Sequence, residues 1–573
     1  MFGVLIERRW HAPISHTGCM VSAAPLRARG LTVTRGPLVV LDGVDLTVAE
    51  GDTIGLVGPN GVGKTTLLCA LAGQVRPDRG TVERTPPTAT VGYLPQERHR
   101  SHEAVTDYLH RRTGATGASA ELDAATAALA AGDDAADARY DDALNRWLAL
   151  GVADLPSRLG EVWSELNLHP DLLDQPTSSL SGGEAARVGL AALLLSRFDV
   201  YLLDEPTNDL DLDGLAMLER WISELRAGVV LVSHDRTFLA GTVDSVVEID
   251  EFTHQARRSS GGWQAYLDER AAAERHALER FEEYDAKRSD LAGRAQRERE
   301  WASQGLSKVR KSGETDKFIR HFRVNQTEQL AGKAARTEKA IERLDAVDKP
   351  RAAWQLRLEI PTAARSGDVV ARLSGLTVEN GDFALGPIDL LIVAGERVAL
   401  VGANGSGKTT LINTILGRTE ATAGTAQLGR SVIVGEMGQA RDQLIANGDV
   451  TVLRAFQDVT GLDAGDARTL LAKFGLVADH VLRPTATLSP GERTRASLAV
   501  LMAGQVNLLV LDEPTNHLDL PAIEQLEVAL DAYGGTVILV THDRSLLERV
   551  NVTRRIELMN GHVASDQSVS VSA

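Results

Sequence analysis

The stretch that decides the fold is GPNGVGKTT, residues 58–66, and a second copy, GANGSGKTT, occupies residues 402–410. Both follow the pattern G-x-x-x-x-G-K-[ST], in which glycines let backbone N–H groups wrap phosphate oxygens at the start of a helix. The apolar run TIGLV ends at Val57, immediately before the first copy, and predicts the buried strand that leads into such a loop. Two copies in register therefore predict two nucleotide-binding units in one chain.

Other short motifs repeat at a constant offset. LSGGE, LLDEPTND and SHDR of the first half return as LSPGE, VLDEPTNH and THDR, each 308 residues later, whereas the lysines of the two Gly-rich loops are 344 residues apart. Gln96 and Gln439 are 343 residues apart, so the first copy holds 35 more residues between its glutamine and LSGGE. This excess predicts a small helical insert at about residues 110–155, where Ala, Asp and Glu dominate.

Length and composition limit the class of protein. The chain has 573 residues, 43% of them apolar and 24% charged, with a net charge of -17, which is typical of a globular protein with several domains. Since no run approaches the roughly 20 apolar residues of a membrane-spanning helix and no secretory signal is recognisable, we expect a cytoplasmic protein without a membrane span. The only cysteines, Cys19 and Cys69, exclude a disulfide framework and the usual four-ligand metal clusters.

The predicted fold class is α/β, with two P-loop domains joined by a long α-helical hairpin linker. Leu278 with Phe281, and Ile341 with Leu344, have the spacing of one helical face, so the linker is predicted to hold two antiparallel helices. We expect a disordered lead-in at residues 1–26, a first nucleotide-binding domain at 27–255 and the linker at 256–351. A second nucleotide-binding domain is expected at 352–565 and a tail at 566–573.

The Gly-rich loops supply the first candidate ligands. Lys64 and Lys408 are expected to bind β- and γ-phosphate oxygens, and Thr65 and Thr409 to hold Mg²⁺. The other loop residues expected around the phosphates are Gly58, Asn60, Gly61, Gly63, Thr66, Gly402, Asn404, Gly405, Gly407 and Thr410.

Apolar runs precede two acidic pairs and predict buried parallel strands, whose carboxyl ends present side chains to a nucleotide. Asp204 and Asp512 are expected to hold Mg²⁺ through water, and Glu205 and Glu513 to polarise the attacking water. A single Asp-Glu pair would more simply be a solvated strand end. The same spacing in both copies favours the catalytic interpretation.

The motifs SHDR and THDR contain His234 and His542, which are expected to contact the γ-phosphate. LSGGE and LSPGE predict helix starts, because Ser followed three residues later by Glu is a capping box. Pro490 falls at the first helical position, where its missing N–H costs little but removes one donor from a surface that could face phosphate. The candidate nucleotide contacts here are Ser181, Gly182, Gly183, Ser489 and Gly491.

Together, LSGGE, LDEPTN and the two Gly-rich loops resemble the ATP-binding cassette superfamily across roughly residues 27–255 and 366–565. Two cassettes in one chain, with a charged helical linker and no membrane segment, resemble the ABC-F family of ribosome-associated ATPases. The resemblance implies ATP and Mg²⁺ as cofactors, with Gln96 and Gln439 also at the nucleotide and metal. It further implies a monomer whose two cassettes pair head to tail. The Lys, Gln, Asp, Glu and His of the first cassette would then face the Ser and Gly of LSPGE, and those of the second cassette would face the Ser and Gly of LSGGE.

The linker is basic whereas the rest of the chain is acidic. Residues 256–350 hold 21 Lys and Arg against 17 Asp and Glu, a net charge of +4 against -21 for the remainder. In the ABC-F family the linker reaches toward the transfer-RNA sites of the ribosome, so its central stretch, residues 308–323, is expected to neutralise ribosomal RNA phosphates. A solvated charged loop is the simpler alternative. The candidate RNA-binding residues are Lys308, Arg310, Lys311, Lys317, Arg320 and Arg323.

The two cassettes also depart from the family pattern. Arg35 and Asn380 stand where many cassettes stack adenine on an aromatic residue, and Asp209 stands where the second copy has the usual histidine, His517. With Pro490 in LSPGE, these differences predict two sites that are not equivalent, although both hold the residues that hydrolysis requires.

Three functions stay open. Ribosome protection against a peptidyl-transferase-site antibiotic is favoured over a housekeeping role in translation, because the first-copy insert is short and the linker tip is long. The energy module of an exporter, with a separate membrane subunit, leaves the basic linker without a role. Cassette proteins of DNA repair need zinc modules or very long coiled coils, which the sequence lacks.

Overall fold

The computed structural model describes residues 26–36, 38–95, 101–131, 136–208, 210–311, 367–381, 383–446, 448–516 and 518–569, and a few residues between 333 and 343. The predicted lead-in before Leu26 therefore lies outside the described residues. The chain divides into two compact units near residue 258, and each is described by itself.

The strands of the first unit form two sheets. In chain order they are β1 (Leu26–Arg35), β2 (Leu38–Val48), β3 (Thr53–Val57), β4 (Arg79–Arg84), β5 (Val91–Leu94), β6 (Val200–Asp204), β7 (Gly228–Val232), β8 (Ser245–Ile249) and β9 (Ala256–Ser260). A six-stranded sheet has the order β5-β6-β7-β3-β8-β9, with neighbours parallel from β5 to β8, and an antiparallel sheet has the order β2-β1-β4. All residues of β3, β6 and β7 are buried, as expected for apolar parallel strands covered on both faces.

The helices of the first unit cover this sheet and carry the signature motif. They are α1 (Lys64–Leu71), α2 (Val105–Arg112), α3 (Ala115–Ala130), α4 (Ala136–Ala149), α5 (Leu155–Glu165), α6 (Gly182–Leu195), α7 (Leu212–Glu224) and α8 (Arg236–Thr242). Helices α3 and α4 lie in the stretch for which the sequence predicts a helical insert. Trp147 Nε1 of α4 donates to Ser119 Oγ of α3 at 3.1 Å, and Arg146 pairs with Glu121 at 3.1 Å, so the two helices run antiparallel.

The second unit repeats the same architecture. Its strands are β10 (Val369–Asn380), β11 (Phe383–Val393), β12 (Arg397–Val401), β13 (Ala423–Leu428), β14 (Val434–Glu436), β15 (Leu508–Asp512), β16 (Thr536–Val540), β17 (Arg554–Met559) and β18 (His562–Ser568). The six-stranded sheet has the order β14-β15-β16-β12-β17-β18 and the antiparallel sheet the order β11-β10-β13, which match the first unit strand for strand. The duplication predicted from the motifs is thus present in the fold.

The helices of the second unit are fewer between the glutamine and the signature motif, as the shorter spacing predicts. They are α10 (Lys408–Ile415), α11 (Met437–Ile445), α12 (Val452–Thr460), α13 (Ala464–Lys473), α14 (Ala478–Val481), α15 (Pro490–Ala503), α16 (Leu520–Ala532) and α17 (Arg544–Arg549). An apolar core between the two sheets includes Leu376, Leu400, Leu411 and Val510, all at most 1% exposed.

A helix of 50 residues, α9 (Gly262–Lys311), follows the first cassette. At 1.5 Å per residue it is about 75 Å long, and it begins with Trp263 and Tyr266, whose buried rings pack 5.4 Å apart. The long linker helix expected from the sequence is therefore present. The predicted return helix falls on a stretch of which only scattered residues are described. Within the described residues, no helix combines the length and apolar character needed to cross a bilayer.

Two edges of the predicted domains differ from the observed elements. Strand β9 lies inside the range that the sequence assigns to the linker, because its residues, ARRSS, form an edge strand without an apolar pattern. Strand β18 reaches Ser568 and so extends into the range assigned to the tail.

Candidate nucleotide-binding sites

Each Gly-rich loop joins a buried strand to a helix, β3 to α1 and β12 to α10, as the motif predicts. A Cβ atom on Gly58 would lie 2.8 Å from the carbonyl oxygen of Ile249, and one on Gly402 would lie 2.2 Å from that of Leu558. Glycine is therefore required for space as well as for conformation. In the first loop the φ angles are 146° at Gly58, 84° at Gly61 and 114° at Gly63. In the second loop they are 149° at Gly402, 82° at Gly405 and 102° at Gly407.

The lysine of each loop is the first residue of its helix and is buried. Lys64 Nζ donates to the carbonyl oxygens of Gly58 at 2.7 Å and Pro59 at 3.1 Å, and Lys408 Nζ donates to that of Gly402 at 2.6 Å. These bonds hold each ammonium group over its loop, so phosphate oxygens can take the place of the carbonyls. Thr66 is buried next to the first lysine, and the backbone of both loops is arranged as an anion site requires.

A threonine hydroxyl faces a carboxylate in each cassette. Thr409 Oγ1 donates to Asp512 Oδ2 at 3.3 Å, and the Thr65 side chain makes the equivalent hydrogen bond to Asp204. Burial raises the pKa of Asp204, while the hydrogen bond from Thr65 and the charge of Lys64 counteract that effect. Hydroxyl and carboxylate oxygens suit Mg²⁺, so both pairs fit the metal that the sequence predicts.

The catalytic candidates Glu205 and Glu513 share a strained backbone. Their φ angles are 51° and 45°, a left-handed conformation that costs about 1–2 kcal/mol for a residue with a Cβ. The neighbouring strand holds this conformation, because the Glu205 N–H donates to the carbonyl of Val232 at 3.0 Å and the Glu513 N–H to that of Val540 at 2.9 Å. Such strain recurs at functional sites, and here it occurs twice at the same place.

A histidine lies beside each glutamate. His234 Nε2 is 3.0 Å from Glu205 Oε1, with side chains 12% and 5% exposed, whereas His542 Nε2 is 3.4 Å from Glu513 Oε1, with side chains 10% and 26% exposed. Burial raises the pKa of Glu205 to about 8, against an opposing effect of the Lys64 charge. A carboxylate with a pKa near neutral is suited to accept a proton from water.

The signature motifs begin helices α6 and α15 as predicted. In both copies the serine N–H donates to the glutamate at 2.8 Å and the glutamate N–H donates to the serine hydroxyl at 3.3 Å, which completes the capping boxes of Ser181 with Glu184 and Ser489 with Glu492. Helix α6 begins at Gly182, and α15 begins at Pro490. Gly183 and Gly491 follow within the first turn of each helix.

The two capping glutamates have different surroundings. Arg483 Nη2 donates to Glu492 Oε1 at 2.7 Å, and His480 Nε2 lies 3.2 Å from the same oxygen. At the equivalent positions the first cassette has the uncharged residues Gln175 and Leu172. The second signature helix is therefore held by charges that the first one lacks.

Several predicted site residues cannot be placed with their side chains. Helix α11 contains Gln439, and the end of α9 contains Lys308, Arg310 and Lys311, with the backbone alone described at these four positions. The positions outside the described residues are Gln96, Asp209, Lys317, Arg320, Arg323 and His517.

The sequence analysis missed a residue near each aspartate that it predicts to bind metal. Tyr93 on β5 donates its hydroxyl to Asp204 Oδ2 at 3.5 Å, and Cys69 Sγ lies 3.6 Å from the same hydroxyl. The equivalent position on β14 is Glu436, which Arg418 binds through both of its terminal nitrogens. Tyr93 and Glu436 stand three residues before Gln96 and Gln439, so an alignment of the two copies would have paired them.

An aromatic ring also distinguishes the second Gly-rich loop. A Cβ atom on Gly407 would lie 2.9 Å from the Phe383 ring, whereas one on Gly63 would meet a Val40 methyl at the same distance. The edge of an aromatic ring and a Leu385 methyl therefore lie against the second loop, and only aliphatic side chains lie this close to the first.

Two P-loop domains, each with a buried lysine, an aspartate that a threonine hydroxyl faces, a strained glutamate and its histidine, define a protein with two ATP-binding cassettes. The ABC transporter family matches residues 41–208 and 385–516. The chain is 36% identical over 561 residues to the tylosin resistance ATP-binding protein TlrC of Streptomyces fradiae, covering 95% of this chain and 98% of that protein. It is 31% identical over 531 residues to the energy-dependent translational throttle protein EttA of Mycobacterium tuberculosis (strain CDC 1551 / Oshkosh), covering 90% and 88%.

The chain is also 29% identical over 568 residues to ABC transporter F family member 5 of Arabidopsis thaliana, covering 97% of this chain and 78% of the relative. This chain belongs to the ATP-binding cassette family and, within it, to the ABC-F group. Among solved structures, an RNase-L inhibitor superimposes with a TM-score of 0.56 at 20% identity, covering 94% of this chain and 90% of the other, which supports the fold.

Proposed function

We propose that this chain is an ATP-hydrolysing ABC-F protein that acts on the ribosome in the cytoplasm and protects it against an antibiotic bound at the peptidyl-transferase site. The proposal depends above all on the lysine, threonine, aspartate, glutamate and histidine that both cassettes bring together among the described residues. The choice of antibiotic resistance is supported by the 36% identity to a protein named for tylosin resistance, over 98% of its length. The name of EttA, a translational throttle protein, supports a role in translation.

In the proposed reaction, Lys64 and Lys408 bind phosphate oxygens, and the threonine and aspartate of each cassette hold the metal ion. Mg²⁺ supplies charge stabilisation to the phosphates when it is bound. Glu205 and Glu513 accept a proton from the attacking water, and the adjacent histidines donate toward the γ-phosphate. In this scheme Gln96 and Gln439 also contact the nucleotide and the metal ion.

In the same proposal, the two cassettes pair within one chain to form composite sites. Ser489 and Gly491 then complete the site of Lys64, and Ser181 and Gly183 complete the site of Lys408. Bound ATP joins the two halves, and hydrolysis releases them. The linker extends from the pair toward ribosomal RNA, where its basic centre neutralises phosphates.

The test of the resistance role is drug susceptibility in a sensitive host. Expression should raise the minimal inhibitory concentration of one or more peptidyl-transferase-site antibiotics, with tylosin as the first drug of the panel. The double variant Glu205→Gln with Glu513→Gln should give no protection, since turnover is required. If the intact protein protects against no drug of the panel while the double variant arrests translation, the housekeeping role replaces resistance.

The test of ribosome binding is co-sedimentation. Charge reversal of Arg310, Lys311 and Arg320 should abolish co-sedimentation and leave ATP binding intact, because the changed residues lie outside both cassettes. A matched control reverses Arg275, Arg280 and Arg288, which lie earlier on α9. Unchanged co-sedimentation of the tip variant would contradict the RNA-binding role.

A further inference from the structure

Tyr93 in the first cassette and Glu436 in the second occupy equivalent positions, three residues before Gln96 and Gln439, but their side chains differ in chemistry. Tyr93 pairs with Leu202 on β6, and Glu436 pairs with Val510 on β15, so each side chain starts two strand positions before the metal-binding aspartate. In the first cassette this position reaches the metal carboxylate, because the Tyr93 hydroxyl donates to Asp204. The same place in the second cassette therefore brings a carboxylate, rather than a phenol, toward Asp512.

The Tyr93 phenol is a neutral group at this place, which donates to Asp204 and accepts from Cys69 Sγ. Burial raises the pKa of Tyr93, and the neighbouring Cys69 and Asp204 raise it further, so the hydroxyl keeps its proton. A neutral hydroxyl can orient Asp204 but adds no negative charge for a cation.

Glu436 has the opposite character. Its side chain is only 12% exposed, so its charge acts in surroundings with little screening by water. Because Glu436 pairs with Val510 on the neighbouring parallel strand, Glu436 and Asp512 lie on the same face of the sheet, two strand positions apart. Two negative carboxylates placed close together favour a cation or a proton between them.

Arg418 is the cation that Glu436 binds in this structure. One of its nitrogens donates to Glu436 Oε1 at 2.8 Å and the second binds the other carboxylate oxygen, while the Arg418 side chain is 41% exposed. The equivalent position in the first cassette is Gln74, so the first cassette lacks both the carboxylate and its arginine. The two residues thus differ together between the copies.

We propose that Glu436 is a positioning residue for the divalent cation of the second cassette, where it accepts hydrogen bonds from water molecules bound to the metal, and that Arg418 competes with the metal for it. The first cassette has no such carboxylate, because Tyr93 takes its place. The second cassette therefore binds a divalent cation more tightly than the first. This inference rests on the metal-dependent ATP chemistry and is independent of the ribosomal role.

The experiment measures Mn²⁺ affinity by electron paramagnetic resonance on the full chain with a non-hydrolysable ATP analogue. Each site is observed alone: Asp204→Asn silences the first cassette and Asp512→Asn the second. In the Asp204→Asn background, Glu436→Gln should weaken Mn²⁺ binding about tenfold, as is typical when a group that supports a metal ligand is removed. Arg418→Gln in the same background should strengthen Mn²⁺ binding, because the competing cation is gone.

The proposal predicts opposite changes in Mn²⁺ affinity for Glu436→Gln and Arg418→Gln, whereas a purely structural ion pair does not. If Arg418 and Glu436 only joined β14 to the end of α10, both substitutions would weaken Mn²⁺ binding or both would leave it unchanged, and either result would overturn the proposal. Gln74→Ala in the Asp512→Asn background, at the exposed position equivalent to Arg418, is the matched control and should change Mn²⁺ affinity less than threefold. Circular dichroism and binding of the analogue show that each variant is folded.

Discussion

The two cassettes have the same backbone conformation at Glu205 and Glu513, but the side chains around these glutamates differ. Both glutamates adopt a left-handed conformation, and the backbone N–H of each donates to a carbonyl oxygen of the neighbouring strand. Glu205 is enclosed, with a 5% exposed side chain 3.0 Å from His234, whereas Glu513 is 26% exposed and 3.4 Å from His542. Sequence duplication therefore fixes the geometry of the main chain, while the side chains packed around it set the electrostatics of each site.

This difference matters because the activity of a base depends on its environment. An enclosed carboxylate is harder to charge and so is the stronger proton acceptor once charged. Asp204 is buried whereas Asp512 is exposed, so the same contrast extends to the predicted metal ligands. The acidic side chains of the first site are therefore more enclosed than those of the second.

The largest expected effect is on turnover. Glu205→Gln combined with Glu513→Gln should lower ATP hydrolysis by at least about 100-fold, since removal of a general base typically costs 10²–10⁴-fold. Of the single variants, Glu205→Gln should lower turnover more, because its carboxylate is the more enclosed. Steady-state phosphate release measures both, and Asp213→Asn, an exposed acid at the start of α7, is the control. Equal losses in the two single variants would remove the contrast between the cassettes.

The next effect is on stability as a function of pH. The pKa of Glu205 is raised from 4.5 to about 8 by burial. The folded chain therefore favours the protonated carboxyl, and the parent protein loses stability as the pH rises from 4.5 toward 8, whereas Glu205→Gln does not. Without nucleotide, the melting temperature of Glu205→Gln should exceed that of the parent by an amount that grows as the pH rises from 4.5 to 8. The shift in pKa corresponds to a few kcal/mol in the free energy of unfolding.

The matched variant for this measurement is Glu513→Gln. Because the Glu513 side chain is 26% exposed against 5% for Glu205, the gain in melting temperature at pH 8 should be smaller for Glu513→Gln than for Glu205→Gln. An equal or larger pH dependence for Glu513→Gln would show that exposure does not set the difference between the two sites.

Much of the site could be predicted because its motifs are local. The Gly-rich loops, the strands before Asp204 and Asp512, and the capping boxes each depend on a few consecutive residues, and all are in the structure. The contacts of Tyr93 and Glu436 depend on the register of β5 and β14 against neighbouring strands that are distant in sequence. Exposure of the catalytic glutamates likewise depends on tertiary packing, which motif spacing does not contain.

A smaller effect is expected at the second signature helix. Burial alone would raise the pKa of Glu492, but the Ser489 N–H and Arg483 more than offset this and lower the pKa. Arg483→Gln should destabilise the chain by about 1 kcal/mol, because the Arg483 side chain is 40% exposed and solvent screens the pair. Gln175→Ala, the equivalent change in the first cassette, should stay within about 0.5 kcal/mol.

The pH dependence gives this prediction a second check. A lowered pKa means that the stabilisation is present above the unfolded value of 4.5 and is lost as the pH falls below it. The difference in denaturant midpoint between Arg483→Gln and the parent should therefore be constant from pH 6 to 8 and shrink in acid. A difference that stays constant at low pH would assign the effect to packing of the arginine instead of its charge.

The smallest effect is expected in the helical pair α3 and α4, which adds surface to the first cassette. Arg146 and Glu121 join the two helices at 3.1 Å, but their side chains are 54% and 50% exposed. Since water screens such a pair and two long side chains lose freedom in forming it, Arg146→Gln should change the free energy of unfolding by less than about 0.5 kcal/mol. Trp147→Phe, which removes the half-buried hydrogen bond to Ser119, should cost about 1 kcal/mol. If urea unfolding instead ranks Arg146→Gln as the more damaging, the helical pair is held by charge, and its stability would then fall with added salt.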